Sequence, residues 1–279
     1  MTAIRPKRIG IVSKGRQEDL LVLQALIEAL EEHVELTLDE TSAALLARKG
    51  ERPEEMTADL MVSVGGDGTI LRTLHALKRP VPIIGINTGA IGFLAEVQPE
   101  DGVATLYRLL DGFEVELRER LAIAITGESE TVPYAMNEAV MITSKPGKML
   151  HFAIFIDGEE LEQLRADGVI CATPTGSTAY AMSAGGPIVD PRVNATIIVP
   201  IAPFKLAARP TVVDSRCEIG LELLELKPAE LVIDGQYYRP IGKDERISIT
   251  RGEPARFVRV RDQHFLKLRD KLRGEERKR

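Results

Sequence analysis

Apolar residues follow two different spacings along this chain. Up to about residue 112, short continuous apolar runs alternate with stretches in which apolar residues recur every three or four positions. Continuous runs predict buried strands, and the longer spacing predicts helices that are apolar on one face. Because the predicted strands are apolar on both faces and are separated by helices, we expect a parallel sheet covered by helices. The predicted strands cover 8–13, 34–38, 60–64 and 81–86, and the predicted helices cover 18–32, 41–48, 69–77 and 100–110.

Beyond about residue 112, short apolar or alternating runs are separated by Gly, Pro, Asp-Gly and Asn, and no long helical pattern interrupts them. This pattern predicts an all-β, sandwich-like domain. We therefore assign 1–100 to an α/β domain with a Rossmann-like parallel sheet and 101–261 to a β-rich domain. The charged segment 265–279 predicts a solvated surface helix. The predicted strands of the second domain cover 115–125, 150–156, 168–172, 196–201, 219–224, 230–234, 245–250 and 256–261.

Composition narrows the class of protein. Hydrophobic residues make up 44% and charged residues 28% of the 279 positions, and the net charge is −6. An acidic chain is a poor match for nucleic acid, and no apolar stretch approaches the roughly 18 residues of a membrane span. With no signal-peptide pattern, we expect a cytoplasmic protein. The two cysteines, Cys171 and Cys217, form no disulfide framework, and the four scattered histidines predict no metal site.

The most informative segment is Gly65-Gly66-Asp67-Gly68-Thr69, between a predicted strand and a predicted helix. The N–H groups of such a turn suit phosphates, so we assign Gly65, Gly66, Gly68 and Thr69 to the phosphate donor. Asp67 would project a carboxylate beside the phosphates and accept a proton from an attacking hydroxyl. The alternative is a tight turn in which Asp67 bonds its own backbone. Neither the Walker A motif nor G-x-G-x-x-G is present.

A second glycine loop, NTGAIGFLAE at 87–96, follows the next predicted strand. Gly89 and Gly92 allow a close approach to the backbone. Because successive parallel strands end at the same edge of a sheet, we expect the two glycine loops to share one crevice. Taken alone, the loop is equally consistent with an ordinary turn.

Two segments of the β-rich half carry groups suited to a nucleoside. Asn137 and Glu138 offer donors and acceptors for a base edge or a ribose diol, although two polar residues at a strand start would look the same. The segment 165–187 is dense in hydroxyl residues, glycine and proline, and we place its Tyr180 against a base. A structural, glycine-rich connection is the alternative for this segment.

These segments occur in the order found in NAD kinases, which the chain resembles. The resemblance implies phosphoryl transfer to the 2′-hydroxyl of the adenosine ribose of NAD, with NAD in a cleft between the two domains and residues 262–279 packed on the first. It also implies ATP or polyphosphate as donor, Mg²⁺ with the donor, and a homodimer or homotetramer in which a neighbouring subunit helps complete the pocket. The matching motifs are GGDGT at 65–69, NTGAIGFLAE at 87–96, NE at 137–138, DGVICATPTGSTAYAMSAGGP at 167–187 and DGQ at 234–236.

The resemblance also implies roles for single residues. Asp67 would be the general base and would contact NAD together with Gly68, while Asn137 and Glu138 would contact the nucleoside. The chain departs from the family at Phe204, where many members have a histidine after proline, so the contact at this position is in doubt. The other implied NAD-binding positions are Arg72, Lys148, Arg165, Asp167, Thr178, Ala179, Tyr180, Ala181, Met182, Ser183, Ala202 and Gln236.

Two rival functions share part of this pattern. A lipid or sugar kinase has a similar GGDGT loop, but its substrate has no base that would require Asn137, Glu138 or the segment around Tyr180. A non-catalytic dinucleotide sensor would keep the pocket and would need no carboxylate at position 67. Asp67 therefore favours an enzyme over a sensor.

Overall fold

The computed structural model describes residues 4–89, 92–128 and 131–260. Contacts divide these residues into two units, the first with residues 4–117 and 255–260 and the second with residues 118–254. The boundaries predicted from the sequence were residues 100 and 261 instead. Residues 262–279, for which a return to the first domain was expected, lie outside the described residues, as does the helix predicted over 265–279.

The described chain up to residue 118 alternates strands and helices, and the chain from residue 121 is built almost entirely from strands. In chain order, the first group is β1 Arg8–Ser13, α1 Gln17–Leu30, β2 Glu35–Leu38, α2 Glu40–Leu46, β3 Leu60–Gly65, α3 Asp67–Ala76, β4 Ile83–Asn87, α4 Gly102–Leu110 and β5 Val115–Arg118. The second group is β6 Leu121–Ile125, β7 Glu138–Thr143, β8 Leu150–Ile156, β9 Glu159–Ala166, β10 Gly168–Ala172, α5 Tyr180–Ser183, β11 Ala195–Ile201, β12 Thr211–Asp214, β13 Ile219–Leu223, β14 Ala229–Ile233, β15 Tyr237–Ile241, β16 Arg246–Arg251 and β17 Ala255–Val258.

The first unit is built on a six-stranded sheet in the order β2-β1-β3-β4-β17-β5. β1 pairs in parallel with β2 and β3, and β4 pairs in parallel with β3 and β17. Every residue of β3 and β4 is buried, as the runs apolar on both faces predicted. α1 buries Leu23, Leu26 and Leu30, at helical spacing, in one core with Val62 of β3 and Leu106 of α4.

The second unit is a sandwich of two antiparallel sheets. One sheet has the order β12-β11-β10-β7-β14-β15, and the other has the order β6-β16-β13-β8-β9. Alternate residues of both sheets meet in a single core, where Phe152 of β8 and Ile247 of β16 pack with Val169 of β10 and Leu231 of β14. The α/β and sandwich-like fold classes predicted from the sequence are confirmed.

The structure differs from the sequence prediction at several elements. The run 115–125 is two strands, β5 and β6, and β17, predicted as part of the β-rich domain, joins the first sheet instead. Four strands escaped prediction: β7, β9, β12 and β15. Three of these, β9, β12 and β15, lie at sheet edges, where one side of the strand has no partner and the sequence can be polar or contain proline.

Candidate active site

The GGDGT segment forms the turn between β3 and α3. β3 ends at Gly65, whose φ is +152° and whose Cβ, if present, would lie 2.3 Å from the Thr69 hydroxyl oxygen. Asp67 is the first residue of α3, two residues earlier than the helix start predicted at Thr69. A Cβ added at Gly66 or Gly68 would meet no atom within 4 Å. The turn therefore leaves open space beside a helix N-terminus, which is a suitable place for phosphate.

From the sequence, the Asp67 carboxylate was expected to project beside the bound phosphates. In the structure, the carboxylate is held by backbone hydrogen bonds. It accepts three backbone hydrogen bonds from the second glycine loop. Phe93 N donates to Oδ2 over 2.7 Å, and Leu94 N and Ala95 N each donate to Oδ1 over 3.0 Å. Asp67 thus binds a neighbouring loop and not its own turn, and the two glycine loops lie together, as predicted.

The end of β1 brings basic residues to the same edge of the sheet. Arg72 of α3 donates from Nη2 to the Ser13 carbonyl oxygen over 2.6 Å. Lys14 and Arg16 follow directly; both are exposed, and neither forms an ion pair with any described residue. β1 and β3 flank the point where the strand order reverses, which is where open α/β sheets bind ligands. Sequence reasoning missed Lys14 and Arg16, although basic residues directly after the first strand were a usable signal.

In the second unit, a turn carboxylate shapes the loop that leads into β7. Asp234 lies in the turn between β14 and β15, where its φ of +49° and that of Gly235, +63°, are typical of a type I′ turn. Its oxygens accept hydrogen bonds from Met136 N and Asn137 N, both over 2.7 Å, and from Glu138 N over 3.0 Å. Asp234 was part of the DGQ motif but was not assigned a role from the sequence. Because it accepts these three hydrogen bonds from backbone amides, Asp234 is the residue that positions Asn137 and Glu138.

The Glu138 side chain is buried, with 7% of its surface exposed. The backbone of Tyr180 hydrogen bonds its carboxyl group, whereas Oε2 is buried and has no hydrogen-bond partner among the described residues. Burial, and then the charge of Asp234, raise the pKa of Glu138 to about 8. At neutral pH the group is therefore mostly protonated, so it can donate as well as accept a hydrogen bond. A buried polar atom without a hydrogen-bond partner lowers the stability of the fold unless a ligand supplies the missing hydrogen bond.

The hydroxyl-rich segment after β10 was expected to line a nucleoside pocket, but three of its six hydroxyl groups donate to the protein's own backbone. Thr173 Oγ1 donates to the Met136 carbonyl over 2.7 Å, and Ser177 Oγ donates to the Pro174 carbonyl over 2.6 Å. Thr178 Oγ1 donates to Thr175 O over 3.3 Å. The Thr173 bond fixes the start of the segment against the loop before Glu138, whereas the other two bonds hold the turns of the segment itself.

The residues that follow differ in what they offer to a ligand. Tyr180 and Ser183 are exposed, Ala179 and Met182 are half-buried, and Thr178 and Ala181 are buried. Gly176 packs so closely that a Cβ would lie 2.0 Å from Asn137 O. Gln236 is exposed and adjoins the Asp234 turn. Within the second unit, the structure thus brings together Asn137, Glu138, Gln236 and the start of α5.

Four assigned residues form another cluster, here called the distal group: Lys148, Arg165, Asp167 and Ala202. Asp167 N donates to Ile201 O over 3.0 Å, directly before Ala202, and Leu150, two residues after Lys148, pairs with Ala166. The Arg165 guanidinium is paired with Glu225 over 2.7 Å. Phe204, the position that departs from the family, donates from its backbone to Arg165 O over 2.8 Å and is 76% exposed.

The distal group lies at the other end of β10 from Glu138. Glu138 pairs with Ala172 at the last residue of β10, while Asp167 precedes its first residue, Gly168. Four residue steps of about 3.4 Å separate the two ends by about 14 Å. The structure therefore does not gather all assigned residues of this unit into one cluster.

Two negative findings concern metals and membranes. The described residues contain no group of three or more His, Cys, Asp or Glu side chains that could hold a metal ion. In the same part of the chain, no helix is both long enough and apolar enough to cross a membrane.

Comparison with known proteins gives a match in each of the two units. The family model for the ATP-NAD kinase N-terminal domain matches residues 11–113, and that for the ATP-NAD kinase C-terminal domain matches residues 136–260. An NAD kinase from Methanosarcina mazei is 43% identical over 265 residues, which are 93% of this chain and 91% of that protein. The match of the second unit removes the lipid-kinase and sugar-kinase alternatives.

Solved structures show the same relationship. The crystal structure of an NAD kinase from Archaeoglobus fulgidus in complex with ATP is 36% identical, covers 96% of this chain and 99% of its own, and gives a TM-score of 0.81. Yeast NADH kinase complexed with NADH, 22% identical, covers 100% of this chain and 90% of its own with a TM-score of 0.84, and it shares the fold. Since both family models and relatives that span almost the whole chain agree, this chain belongs to the NAD kinase family.

Proposed function

We propose that this protein transfers a phosphoryl group from ATP or inorganic polyphosphate to the 2′-hydroxyl of the adenosine ribose of NAD and so forms NADP. The observation that carries the proposal is the Asp67 carboxylate beside an open glycine turn, at the N-terminus of α3, in a member of the NAD kinase family. A non-catalytic sensor would need no carboxylate at this position.

Asp67 is proposed as the general base. In the reaction, the bond between the terminal phosphorus and its bridging oxygen breaks, and a bond to the ribose 2′-oxygen forms. The hydroxyl proton needs an acceptor, which is typically worth about 10² to 10⁴ in rate. Oδ2 of Asp67 accepts one backbone hydrogen bond, from Phe93, so it keeps room for a second one from the substrate.

The donor phosphates are proposed to bind at the carboxyl ends of β1 and β3. The open turn at Gly66 and Gly68 offers backbone N–H groups, and Lys14, Arg16 and Arg72 offer positive charge at the same edge. This arrangement suits a chain of phosphates, whether or not it carries a nucleoside. We therefore expect the donor site to recognise the phosphates first.

A divalent cation, Mg²⁺, is proposed to arrive with the donor. Mg²⁺ usually keeps several waters and is held by substrate phosphates with one or two carboxylates, so a large set of protein ligands is not needed. The donor's phosphates and waters would supply the ligands of the ion, since the one open acceptor position of Asp67 is proposed for the ribose hydroxyl. When bound, the ion neutralises charge on the phosphates.

The dinucleotide is proposed to bind Asn137, Glu138, Tyr180 and Gln236 in the second unit. The strongest support is the buried and unpaired Oε2 of Glu138, which a ribose hydroxyl or a carboxamide would satisfy. Tyr180, 39% exposed, can cover one face of a base. In this arrangement the second unit recognises the substrate, and the first unit supplies the base and the donor site.

We further propose that the distal group completes the site of another copy of the chain, in a homodimer or homotetramer. Two observations support this: the separation of about 14 Å along β10, and the exposed apolar side chains of Phe204 (76%) and Leu206 (91%) beside the group. The test mixes chains that carry Glu138→Ala with chains that carry Asp167→Ala. Activity that neither variant has alone supports the proposal, while an active monomer by light scattering contradicts it.

The activity itself is tested by incubating the purified protein with NAD, Mg²⁺ and either ATP or polyphosphate. NADP formed is read with an NADP-specific dehydrogenase, and a parallel reaction with NADH measures the redox preference. No NADP with either donor, while NAD still binds, would favour the sensor. We further propose that the reaction takes place in the cytoplasm, where a chain with two free cysteines needs no oxidising environment.

A further inference from the structure

The bonds around Asp67 single out the loop after β4 as part of the catalytic apparatus. We propose that Gly92, with the amides of Phe93, Leu94 and Ala95, sets the orientation of the Asp67 carboxylate, so that Gly92 is a positioning residue for phosphoryl transfer. The inference rests on the proposed function, because it concerns how the base is held.

The three amides determine which carboxylate oxygen is available. A carboxylate has about four acceptor positions, two on each oxygen. Oδ1 receives two hydrogen bonds, from Leu94 N and Ala95 N, and is therefore filled. Oδ2 receives one, from Phe93 N, over 2.7 Å. The loop thus leaves one acceptor position open, on Oδ2, and holds it in a fixed direction.

This arrangement requires the residue before Phe93 to have no side chain. A Cβ at Gly92 would lie 2.1 Å from Asp67 Oδ1, 2.6 Å from Cγ and 2.9 Å from Oδ2. A methyl group and the carboxylate cannot both occupy this space. All three nearest atoms belong to the end of one side chain, so the carboxylate can give way while the backbone stays in place. An alanine at position 92 is therefore expected to fold but to turn the base out of position.

The loop after β4 and the phosphate turn are therefore joined by the hydrogen bonds of the Asp67 carboxylate. Asp67 begins α3 directly after the turn that is proposed to bind the donor, and its side chain carries the loop that follows β4. Gly85 of β4 supports the same contact, because a Cβ there would lie 2.8 Å from the Ala95 Cα. The position of the base is thus determined by β4 and its loop as well as by α3.

The test is the Gly92→Ala variant of the full-length protein. We expect kcat to fall at least about tenfold, while KM for NAD changes less than about twofold, because a displaced base affects only the transition state. Gly242→Ala is the matched control. It also places a methyl group beside a carboxylate, but its nearest neighbour, Glu245 Oε2, lies at an ordinary 3.4 Å. This control should keep native turnover.

An Asp67→Ala background separates positioning from a general loss of structure. Once the carboxylate is removed, the methyl group at position 92 has space, so Gly92→Ala should change neither the residual turnover nor the urea midpoint of the Asp67→Ala chain. In the native background it should lower both. Native turnover in Gly92→Ala, or equal losses in both backgrounds, would overturn the proposal. Near-normal turnover of Asp67→Ala itself would instead refute the role of Asp67 as general base. The hydrogen bonds from Phe93, Leu94 and Ala95 would then have no catalytic role.

Discussion

Replacing Glu138 by glutamine should change how the stability of the protein depends on pH. Burial and the charge of Asp234 raise the pKa of Glu138 from 4.5 to about 8 in the folded state. The contribution of Glu138 to the free energy of unfolding is fully present below pH 4.5, where this side chain is protonated in both the folded and the unfolded chain. It is lost as the pH rises to 8, because the unfolded chain gives up the proton first. Glutamine has nearly the same shape and does not titrate.

The expected magnitude follows from the pKa. Within the window from 4.5 to 8, each pH unit costs the native chain about 1.4 kcal/mol of unfolding free energy. Between pH 5 and pH 7 the native chain should therefore lose about 2 to 3 kcal/mol relative to Glu138→Gln. The amide of glutamine has other hydrogen-bond needs than a carboxyl group, which adds an offset that does not vary with pH. Only the growth of the difference with pH reports the ionisation.

Urea unfolding of both chains at pH 5, 6 and 7, without ligand, measures this difference. Glu159→Gln is the control, because Glu159 is an exposed glutamate of the same unit, on β9. We expect the control to follow the native chain at each pH. A difference between native and Glu138→Gln that stayed within about 0.5 kcal/mol from pH 5 to pH 7 would show that folding leaves Glu138 ionised, and the reasoning from its burial would be wrong.

The remaining predictions concern kinetics. Asp67→Asn should lower kcat at least about a hundredfold, or roughly 2.7 kcal/mol, with NAD binding by calorimetry little changed, because an amide is a weak proton acceptor; partial rescue by added Mg²⁺ would indicate a metal contact instead. Lys14→Ala should raise KM for ATP about fivefold and leave KM for NAD unchanged, as expected for an exposed charge worth about 1 kcal/mol. Equal rises in both KM values would argue against a donor site at β1. Glu138→Gln should raise KM for NAD more than it lowers kcat, and a collapse of kcat alone would contradict a binding role.

The first sheet was largely predictable because its strands are buried on both faces. β1, β2, β3 and β4 and the helices between them appear where the apolar spacing predicted them, within a few residues. The spacing could not show that β17 pairs with β4, because a short apolar strand carries no information about its partner. The same limit explains why 115–125 looked like one run, although it contains strands of two units.

The candidate site was predicted by residue type better than by geometry. Asp67 and Glu138 were identified from their motifs, but the bonds that hold Asp67 come from amides of another loop, which have no signature in the sequence. Asp234 was overlooked because Asp-Gly in a hairpin already has a sufficient explanation as a turn. The sequence also does not reveal that backbone carbonyls already accept the protons of Thr173 and Ser177.

The position of β17 in the first sheet also sets an order of events during synthesis. The ribosome completes the whole second unit, residues 118–254, before it makes β17, the second strand that pairs with β4. At about 5 to 20 residues per second, the Ile83 end of β4 lacks its β17 partner for roughly ten to thirty seconds, while its Ile86 end can already pair with Val97 and the strands of the sandwich are made. We therefore expect the later half of the chain to fold first. A polypeptide that stops before residue 255 would leave the Ile83 end of this edge permanently unpaired and prone to aggregation.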